Sequence, residues 1–236
     1  MIIYGKNAVL EALKNKKTIS KILVTKNNLE LINKFNYVNK NIIKVVSLND
    51  LNKEVEGVHQ GIVAYVDEYE YVDLHDFIKK NQDKKDVVVA MLDGLEDPHN
   101  LGAILRSADA SGVDGVIIPK NRSVSLNSTV AKVSTGAIEH VDVCQVTNLV
   151  STIKELKECG YWVIGLEMDG SVDYKKQDYS GKIVLVVGSE GKGISRLVRE
   201  NCDFLVHIPM VGHVTSLNAS VSASILFYEV LRNRGI

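Results

Sequence analysis

The chain has 236 residues, of which 45% are hydrophobic and 24% are charged, a composition typical of a globular protein with one large or two smaller domains. No apolar run reaches the about 20 residues that a membrane-spanning helix needs, and the first residues lack the basic segment and cleavage signature of a signal peptide. The three cysteines are odd in number and widely spaced, which fits neither a disulfide framework nor a metal site. We therefore expect a cytoplasmic protein without bound metal, with buried or inert thiols at Cys144, Cys159 and Cys202.

The net charge of −1 does not suggest a general nucleic-acid binder, but the charge is unevenly distributed. Residues 1–50 carry nine lysines against Glu11, Glu30 and Asp50, a balance of +6, so the remainder sums to −7. Such an asymmetry is expected where one part of a chain contacts a polyanion. A compositional preference for lysine and asparagine would give the same pattern, so charge alone leaves both interpretations open.

The first 72 residues alternate helical and strand-like patterns. A short amphipathic helix is predicted at 7–13 and a second helical stretch at 29–35, with β-rich runs at 21–25, 42–46 and 61–66. These patterns predict a small α/β domain over residues 1–72. Residues 73–85 are polar and dense in charge, and we interpret them as a short helix plus a linker.

From residue 86 onward, short apolar runs alternate with helical segments. Strands are predicted at 87–92, 115–118, 141–143, 162–166, 183–187 and 204–208, and helices at 101–111, 128–133, 149–159, 194–201 and from 216 to 232. This alternation predicts an α/β domain over 86–236 with a mainly parallel sheet. Ligands of such sheets bind beyond the carboxyl ends of strands, so the loops after Leu92, Val187 and Ile208 are the places to expect a site.

The first of these loops, residues 93–106, leads into a helix. Asn100 is a plausible N-cap, which would turn its side chain towards the loop. Arg106 lies nearly two turns later, between the apolar residues Leu105 and Ala108. An arginine at such a position usually faces solvent or pairs with an acid, and the alternative is that it reaches a phosphate or a ribose.

The second loop, Val-Gly-Ser-Glu-Gly-Lys-Gly-Ile at 187–194, holds three glycines that allow a close backbone approach to a ligand. Its spacing fits neither the phosphate-binding P-loop nor the dinucleotide fingerprint. Because Glu190 would repel phosphates, the loop favours a ligand that is neutral or cationic at this point. A glycine-rich turn without a ligand remains the alternative.

The third loop, residues 208–218, precedes the predicted C-terminal helix. Ser216 is a candidate N-cap with Asn218 in the first turn. Small residues at Ala219, Ser222 and Ala223 share one face of this helix, which suits tight helix packing within the chain or between two chains. The six histidines show no metal-ligand spacing, and the chain has no Gly-x-Ser-x-Gly motif for a nucleophilic serine.

Three segments together resemble the three motifs of SpoU (TrmH-type) RNA ribose 2′-O-methyltransferases. They are DPHNLGAILRSADASGVDGVI, VVGSEGKGI and IPMVGHVTSLNASVSASI, in the family's order and separation. The segments YGKNAVLEAL and HQGIVA are similar to the N-terminal RNA-binding domain of the bacterial 23S rRNA guanosine methyltransferase branch. The resemblance implies a SPOUT fold, in which a parallel sheet ends in a C-terminal trefoil knot, preceded by a small α/β RNA-binding domain.

The same resemblance implies S-adenosylmethionine as the cofactor and a homodimer with the active site at the interface. The residues that it implies for the cofactor site are Gly188, Ile208, Leu217, Thr135, Gly136, Leu166 and Met210. An anionic Glu190 fits beside such a cofactor because the sulfonium is cationic.

For catalysis, the resemblance implies Arg106, supported by Asn100, Glu190, Ser216 and Asn218. The family proposal makes the arginine a base that activates the ribose hydroxyl. An arginine normally stays protonated, so the alternative is that Arg106 holds the target phosphate and stabilises the developing alkoxide.

The predicted function is 2′-O-methylation of a ribose in RNA, with a guanosine of 23S rRNA as the first expectation. The alternatives are a tRNA ribose 2′-O-methyltransferase and a non-catalytic RNA-binding ribosome-assembly factor that kept the fold.

Overall fold

The computed structural model describes residues 1–168 and 171–235, which form two compact units. The first unit consists of Met1–Glu70 with Leu126–His140, and the second of Tyr71–Ser125 with Val141–Ile236. Residues 126–140, which the sequence assigns to the catalytic domain, thus belong to the same compact unit as the N-terminal segment.

α-Helices and strands alternate as far as residue 166, and three strands follow one another over residues 162–188 before the next α-helix. Up to residue 80 they are β1 (Ile2–Tyr4), α1 (Lys6–Lys14), β2 (Ile19–Val24), α2 (Leu29–Asn33), β3 (Ile43–Val45), α3 (Leu48–Glu54), β4 (Ile62–Val66) and α4 (Leu74–Lys80). They continue with β5 (Val87–Asp93), α5 (Pro98–Ser111), β6 (Gly115–Pro119), α6 (Ser128–Val133), β7 (Asp142–Val146), α7 (Leu149–Glu158) and β8 (Trp162–Leu166). The last are β9 (Val172–Asp173), β10 (Lys182–Gly188), α8 (Arg196–Glu200), β11 (Phe204–His207) and α9 (Ala219–Asn233).

The first unit contains a four-stranded sheet in the order β1-β4-β2-β3. Strand β4 pairs antiparallel with both β1 and β2, and β2 pairs parallel with β3. Leu23, Leu51 and Val63 form a small apolar core here. Two elements of this unit, β1 and α3, are not among the predicted ones. Helix α3 begins at a capping box in which Ser47 and Asp50 exchange hydrogen bonds.

Helix α6 and the turn after it belong to the first unit. The Lys132 ammonium lies 4.4 Å from the centre of the Tyr4 ring, a cation–π contact. Gly136 has φ +105°, and a β-carbon there would lie 2.2 Å from Cγ of Glu11. Only glycine fits this position without a shift, so Gly136 serves the packing of α1 in this unit.

The second unit contains a seven-stranded sheet in the order β7-β6-β5-β10-β8-β11-β9, in which every neighbouring pair is parallel. This confirms the predicted α/β class with a parallel sheet, while the trefoil knot stays a prediction. The six residues Val87–Leu92 of β5 are all buried, as expected for a strand with helices on both faces of its sheet.

Residues 73–85, for which the sequence predicts a short helix plus a linker, carry helix α4 within the second unit. Asp73 caps this helix by accepting hydrogen bonds from the backbone of His75 and Asp76. Phe77 is fully buried in the core of the unit, and a β-carbon on Gly115 would lie 2.6 Å from its ring. The charged face of the segment is exposed, whereas its one aromatic side chain anchors it.

The three cysteines are free thiols: Cys144 is buried, Cys202 half-buried and Cys159 exposed. Burial raises the pKa of the Cys144 and Cys202 thiols to about 12. Within the described residues, no group of side chains is arranged to hold a metal ion. No helix in that part of the chain combines the length and apolar character needed to cross a bilayer.

Candidate active site

The two central strands of the parallel sheet, β5 and β10, end beside each other. Gly188 at the end of β10 is in register with Asp93 at the end of β5. The Asp93 carboxylate accepts a hydrogen bond of 2.7 Å from the backbone of Ser195, which ties the end of β5 to the loop after β10. The first and second predicted loops therefore share one edge of the sheet, where such folds bind ligands.

The loop after β10 closes tightly on itself. Ser189 and Gly193 exchange two backbone hydrogen bonds, of 2.9 and 3.2 Å, and Gly193 has φ +62°. A β-carbon on Gly188 would lie 2.0 Å from the backbone carbon of Gly193, so glycine is required there. The backbone of this turn lines a cleft at the edge of the sheet.

Helix α5 begins three residues earlier than expected, at Pro98, and its N-cap is Asp97 rather than Asn100. The Asp97 carboxylate accepts a hydrogen bond of 2.8 Å from the backbone of His99. Proline is favoured in the first turn because it needs no backbone partner there. Asn100 is thereby moved into the first turn, where it is buried and its side chain is free for contacts outside the helix.

Helix α9 begins later than expected, at Ala219, and its N-cap is Asn218 rather than Ser216. Oδ1 of Asn218 accepts hydrogen bonds from the backbone of Ser220 and Val221, at 2.9 and 3.3 Å. Ser216 lies exposed in the preceding loop. The small residues Ala219, Ser222 and Ala223 are buried, which places this face in packing within the chain.

Three predicted catalytic side chains, one from each loop, form a hydrogen-bonded cluster. Nδ2 of Asn100 donates to Oε1 of Glu190 at 3.0 Å, and Nδ2 of Asn218 donates to Oδ1 of Asn100 at 2.8 Å. Nδ2 of Asn218 also donates to the same Glu190 oxygen. Because Asn218 uses its Oδ1 as a helix cap, its amide group is oriented with the nitrogen towards Glu190. The cluster fixes a carboxylate at the junction of the three loops.

Arg106 lies at the start of the third turn of α5, about 120° around the helix from Asn100 at the usual 100° per residue. Its side chain is exposed. Within the described part of the chain it has no hydrogen bond or ion pair, so its guanidinium is available to an external group. The neighbouring Ser107 accepts a hydrogen bond of 2.7 Å from Ser224, which joins α5 to α9.

A cleft of about 300 Å³ opens beside the glycine loop. Its lining includes five of the residues expected at a cofactor site, which are Leu166, Gly188, Ile208, Met210 and Leu217. Glu190 and Ser216 from the expected catalytic set also line it, and Asn218 follows directly on Leu217. Thr135 and Gly136 are not among the residues that line this cleft. They follow α6, in the segment between β6 and β7 that belongs to the first unit.

Several cleft residues were not expected from the sequence. Glu167 and Met168 follow β8, and Ser189, Lys192 and Thr215 come from the two loops. A carboxylate oxygen of Glu167 lies 3.3 Å from the position of a β-carbon on Gly193. The sequence offered one signal for Glu167: it follows a buried strand of the same parallel sheet, so its side chain starts at the ligand-binding edge.

Comparison with known proteins agrees with this geometry. The SpoU rRNA Methylase family model matches residues 87–228, and a model for RNA 2′-O ribose methyltransferase substrate binding matches residues 2–72. A protein of Staphylococcus saprophyticus named "Putative TrmH family tRNA/rRNA methyltransferase" is 52% identical over 99% of this chain and 96% of its own length.

Two solved structures have the same fold. One is the SpoU methyltransferase AviRb from Streptomyces viridochromogenes in complex with AdoMet, with a TM-score of 0.81, 24% identity and coverage of 99% of this chain and 90% of that one. The other is described as an RNA 2′-O ribose methyltransferase, with a TM-score of 0.81, 26% identity and coverage of 100% and 89%.

Proposed function

Because this chain belongs to the SpoU rRNA methylase family of RNA methyltransferases, we propose that it transfers a methyl group from S-adenosylmethionine to a ribose 2′-hydroxyl of RNA. The single observation that best supports this is the cluster of Asn100, Glu190 and Asn218. It lies beside the cleft of about 300 Å³ at the glycine loop, which we call the first cleft. It joins all three family motifs and presents a fixed carboxylate at the rim of a cleft lined by backbone.

The chemistry of the first cleft fits S-adenosylmethionine. Leu166, Ile208 and Leu217 supply apolar surface for an adenine ring, and backbone groups of the loops 188–193 and 215–217 can bind its polar edges. The carboxylates of Glu167 and Glu190 suit a cationic ligand. When bound, S-adenosylmethionine supplies an electrophilic methyl group on a sulfonium.

In this mechanism the chain's own residues orient the acceptor and stabilise charge. The exposed guanidinium of Arg106 binds the target phosphate and stabilises the alkoxide that develops on the ribose. The hydroxyl proton passes to solvent water as the ribose oxygen takes the methyl group. This role suits an arginine better than that of a base, since arginine stays protonated in proteins and a base should titrate near the working pH. Asn100 and Asn218 hold Glu190 in place, and Ser216 lies within reach of the same cleft.

We further propose a homodimer as the active form. Helix α9 exposes Val221 and Tyr228, which lie seven residues apart and so share one face, and the preceding loop exposes Val211 and Val214. Large exposed apolar side chains commonly mark a protein interface where they form one patch. Sedimentation of the wild type and of Tyr228→Asp tests this: a stable monomer in the wild type would contradict it.

The preferred acceptor is a guanosine of 23S rRNA, on the resemblance of the N-terminal segment, with tRNA as the second candidate because the Staphylococcus relative is named for both. Mapping 2′-O-methyl positions in rRNA and tRNA from cells with and without the gene decides between them. A position that disappears from 23S rRNA supports the proposal, and one that disappears from tRNA supports the alternative.

An unchanged methylation map would favour a non-catalytic assembly factor. Calorimetric titration with S-adenosylmethionine separates this case, because an assembly factor that only kept the fold has no need to bind the cofactor.

A further inference from the structure

A second, larger cleft of about 760 Å³ lies at the same edge of the parallel sheet. It is formed by the loops that follow β5, β6, β7 and β10. Its volume is within the range of small-ligand sites, about 300 to 1,000 Å³. Its lining includes Glu96, Asn100, Pro119, Asn121, Arg122 and Leu197.

The walls of this second cleft are held together. The backbone of Val124 donates a hydrogen bond of 2.8 Å to the carbonyl oxygen of Leu95, which joins the loop after β6 to the loop after β5. Arg122 has φ +55°, a left-handed conformation that residues with a β-carbon rarely adopt. Such backbone strain persists where the surrounding structure enforces it, commonly at functional sites.

The two clefts share one wall. The turn Ser189–Gly193 lines both of them, and Asn100, which contacts Glu190, lines the second. A nucleotide whose ribose lies at Glu190 can therefore extend its base into the second cleft while its 2′-oxygen faces the first. This step rests on the proposed function, since it takes the first cleft as the cofactor site.

The exposed polar side chains of the second cleft complement the hydrogen-bonding edge of guanine. Glu96 is exposed and has no hydrogen bond or ion pair within the described residues, and the same holds for Asn121 and Arg122. A carboxylate accepts two adjacent N–H donors, which on a base edge means N1–H and the 2-amino group of guanine. Asn121 and Arg122 can donate to the guanine O6, and Pro119 and the exposed Leu197 offer apolar surface to a ring face.

We propose that the second cleft holds the base of the methylated nucleotide and that Glu96 selects guanine by accepting hydrogen bonds from N1–H and the 2-amino group. A phosphate fits this cleft less well, because its lining holds four carboxylates, of Asp93, Glu96, Asp97 and Glu190, against the two cations of Arg122 and Lys192. Three of these carboxylates accept hydrogen bonds, from the backbones of Ser195 and His99 and from the Asn100 side chain, which leaves Glu96 for the ligand.

The test uses an RNA that carries the mapped target position as guanosine or as inosine, which lacks the 2-amino group. For the wild type, inosine should lower kcat/KM by at least about tenfold, the usual discrimination of a paired base contact. Glu96→Gln should lower kcat/KM on guanosine to a similar degree and should lose most of the difference between the two RNAs. Glu158→Gln, which changes an exposed glutamate on α7, should behave like the wild type.

Two further measurements keep the result specific to the base site. The Kd for S-adenosylmethionine should be equal in all three proteins, and 6-thioguanosine at the target position should crosslink to residues lining the second cleft. Full guanosine-over-inosine discrimination in Glu96→Gln, or a crosslink elsewhere, would overturn this inference while leaving the methyltransferase proposal intact. If the wild type methylates no RNA at all, the proposed function fails first.

Discussion

The side-chain amide of Asn218 donates a hydrogen bond of 2.8 Å to the side-chain oxygen of Asn100, although 118 residues separate them. The same amide nitrogen donates to Glu190, and its oxygen caps helix α9. One asparagine therefore connects the start of the C-terminal helix to a carboxylate at the centre of the site. Changes at this residue should separate helix stability from catalysis.

Asn218→Ala should lower the free energy of unfolding by about 1 kcal/mol, because the helix cap is lost. It should also lower methyl transfer by about 10- to 100-fold, since Glu190 loses a donor and a hydrogen bond to a charged group contributes about 1.5–3 kcal/mol. Urea unfolding and initial rates on acceptor RNA measure the two effects. Asn218→Asp should keep the cap yet lose activity, because it removes the donor and places a second carboxylate beside Glu190.

Asp73→Ala is the matched control for this experiment. It removes the cap of α4 in the same unit and should cost similar stability at unchanged activity. If the two alanine variants lose the same free energy of unfolding and the same fraction of methyl-transfer activity, the Asn218 contacts serve folding alone.

Gly188→Ala should abolish cofactor binding. The new methyl group would overlap the backbone of Gly193 at 2.0 Å, so the turn must shift, and overpacking of this kind costs about 1–3 kcal/mol or more. Gly191→Ala is the control in the same turn, since a β-carbon there meets nothing within 4 Å. Calorimetry with S-adenosylmethionine should show loss of binding in the first variant and binding close to wild type in the second.

Arg106→Ala should abolish methyl transfer and leave the fold unchanged. Because the exposed guanidinium has no partner within the described residues, its removal should change the free energy of unfolding by no more than about 0.5 kcal/mol. Lys154→Ala, an exposed cation on α7, should leave both properties unchanged. Retained methylation by Arg106→Ala would refute the role assigned to this residue, and Arg106→Lys tests whether charge alone suffices.

Phe77→Ala should destabilise the protein by about 3–5 kcal/mol, the usual cost of removing a buried phenylalanine. A flexible linker would tolerate this change. Lys79→Ala, an exposed position on the same helix, should alter the free energy of unfolding by less than about 0.5 kcal/mol. Chemical unfolding of both variants distinguishes an anchored helix from a linker.

Only one of the three thiols should react quickly in the native protein. The pKa of about 12 at Cys144 and Cys202 leaves roughly one thiol in ten thousand as the reactive thiolate at pH 8, whereas Cys159 is exposed. Titration with a coloured disulfide reagent at pH 8 should show one fast thiol, and three after unfolding. A Cys159→Ser variant that still shows a fast thiol would contradict the burial of the other two.

The sequence predicts the parallel sheet well because strands buried on both faces are continuous apolar runs. The runs at 87–92 and 183–187 correspond to β5 and β10, and the three loops follow strands as expected. Helix starts are less predictable. Asn100 is a good cap by residue type, yet Asp97 caps α5 because Pro98 favours the first turn. Ser216 is also a good cap by residue type, yet the N-cap of α9 is Asn218.

Other parts of the site depend on long-range folding that no local pattern encodes. Thr135 and Gly136 lie in a segment that packs with residues 1–70, and nothing in their immediate sequence indicates this. Glu167 reaches the first cleft through the position of β8 in the sheet order. The pairing of Asn100 with Asn218 likewise follows from two helices that meet only in the folded chain.

The turn Ser189–Gly193 is one five-residue partition between two cavities. A ligand that biases the conformation of this partition from one side changes the affinity on the other side. If S-adenosylmethionine binds on one side and RNA on the other, as we propose, thermodynamic linkage requires that each alters the other's equilibrium affinity by the same factor. The two backbone hydrogen bonds that close this turn would then form one physical link between the two binding events.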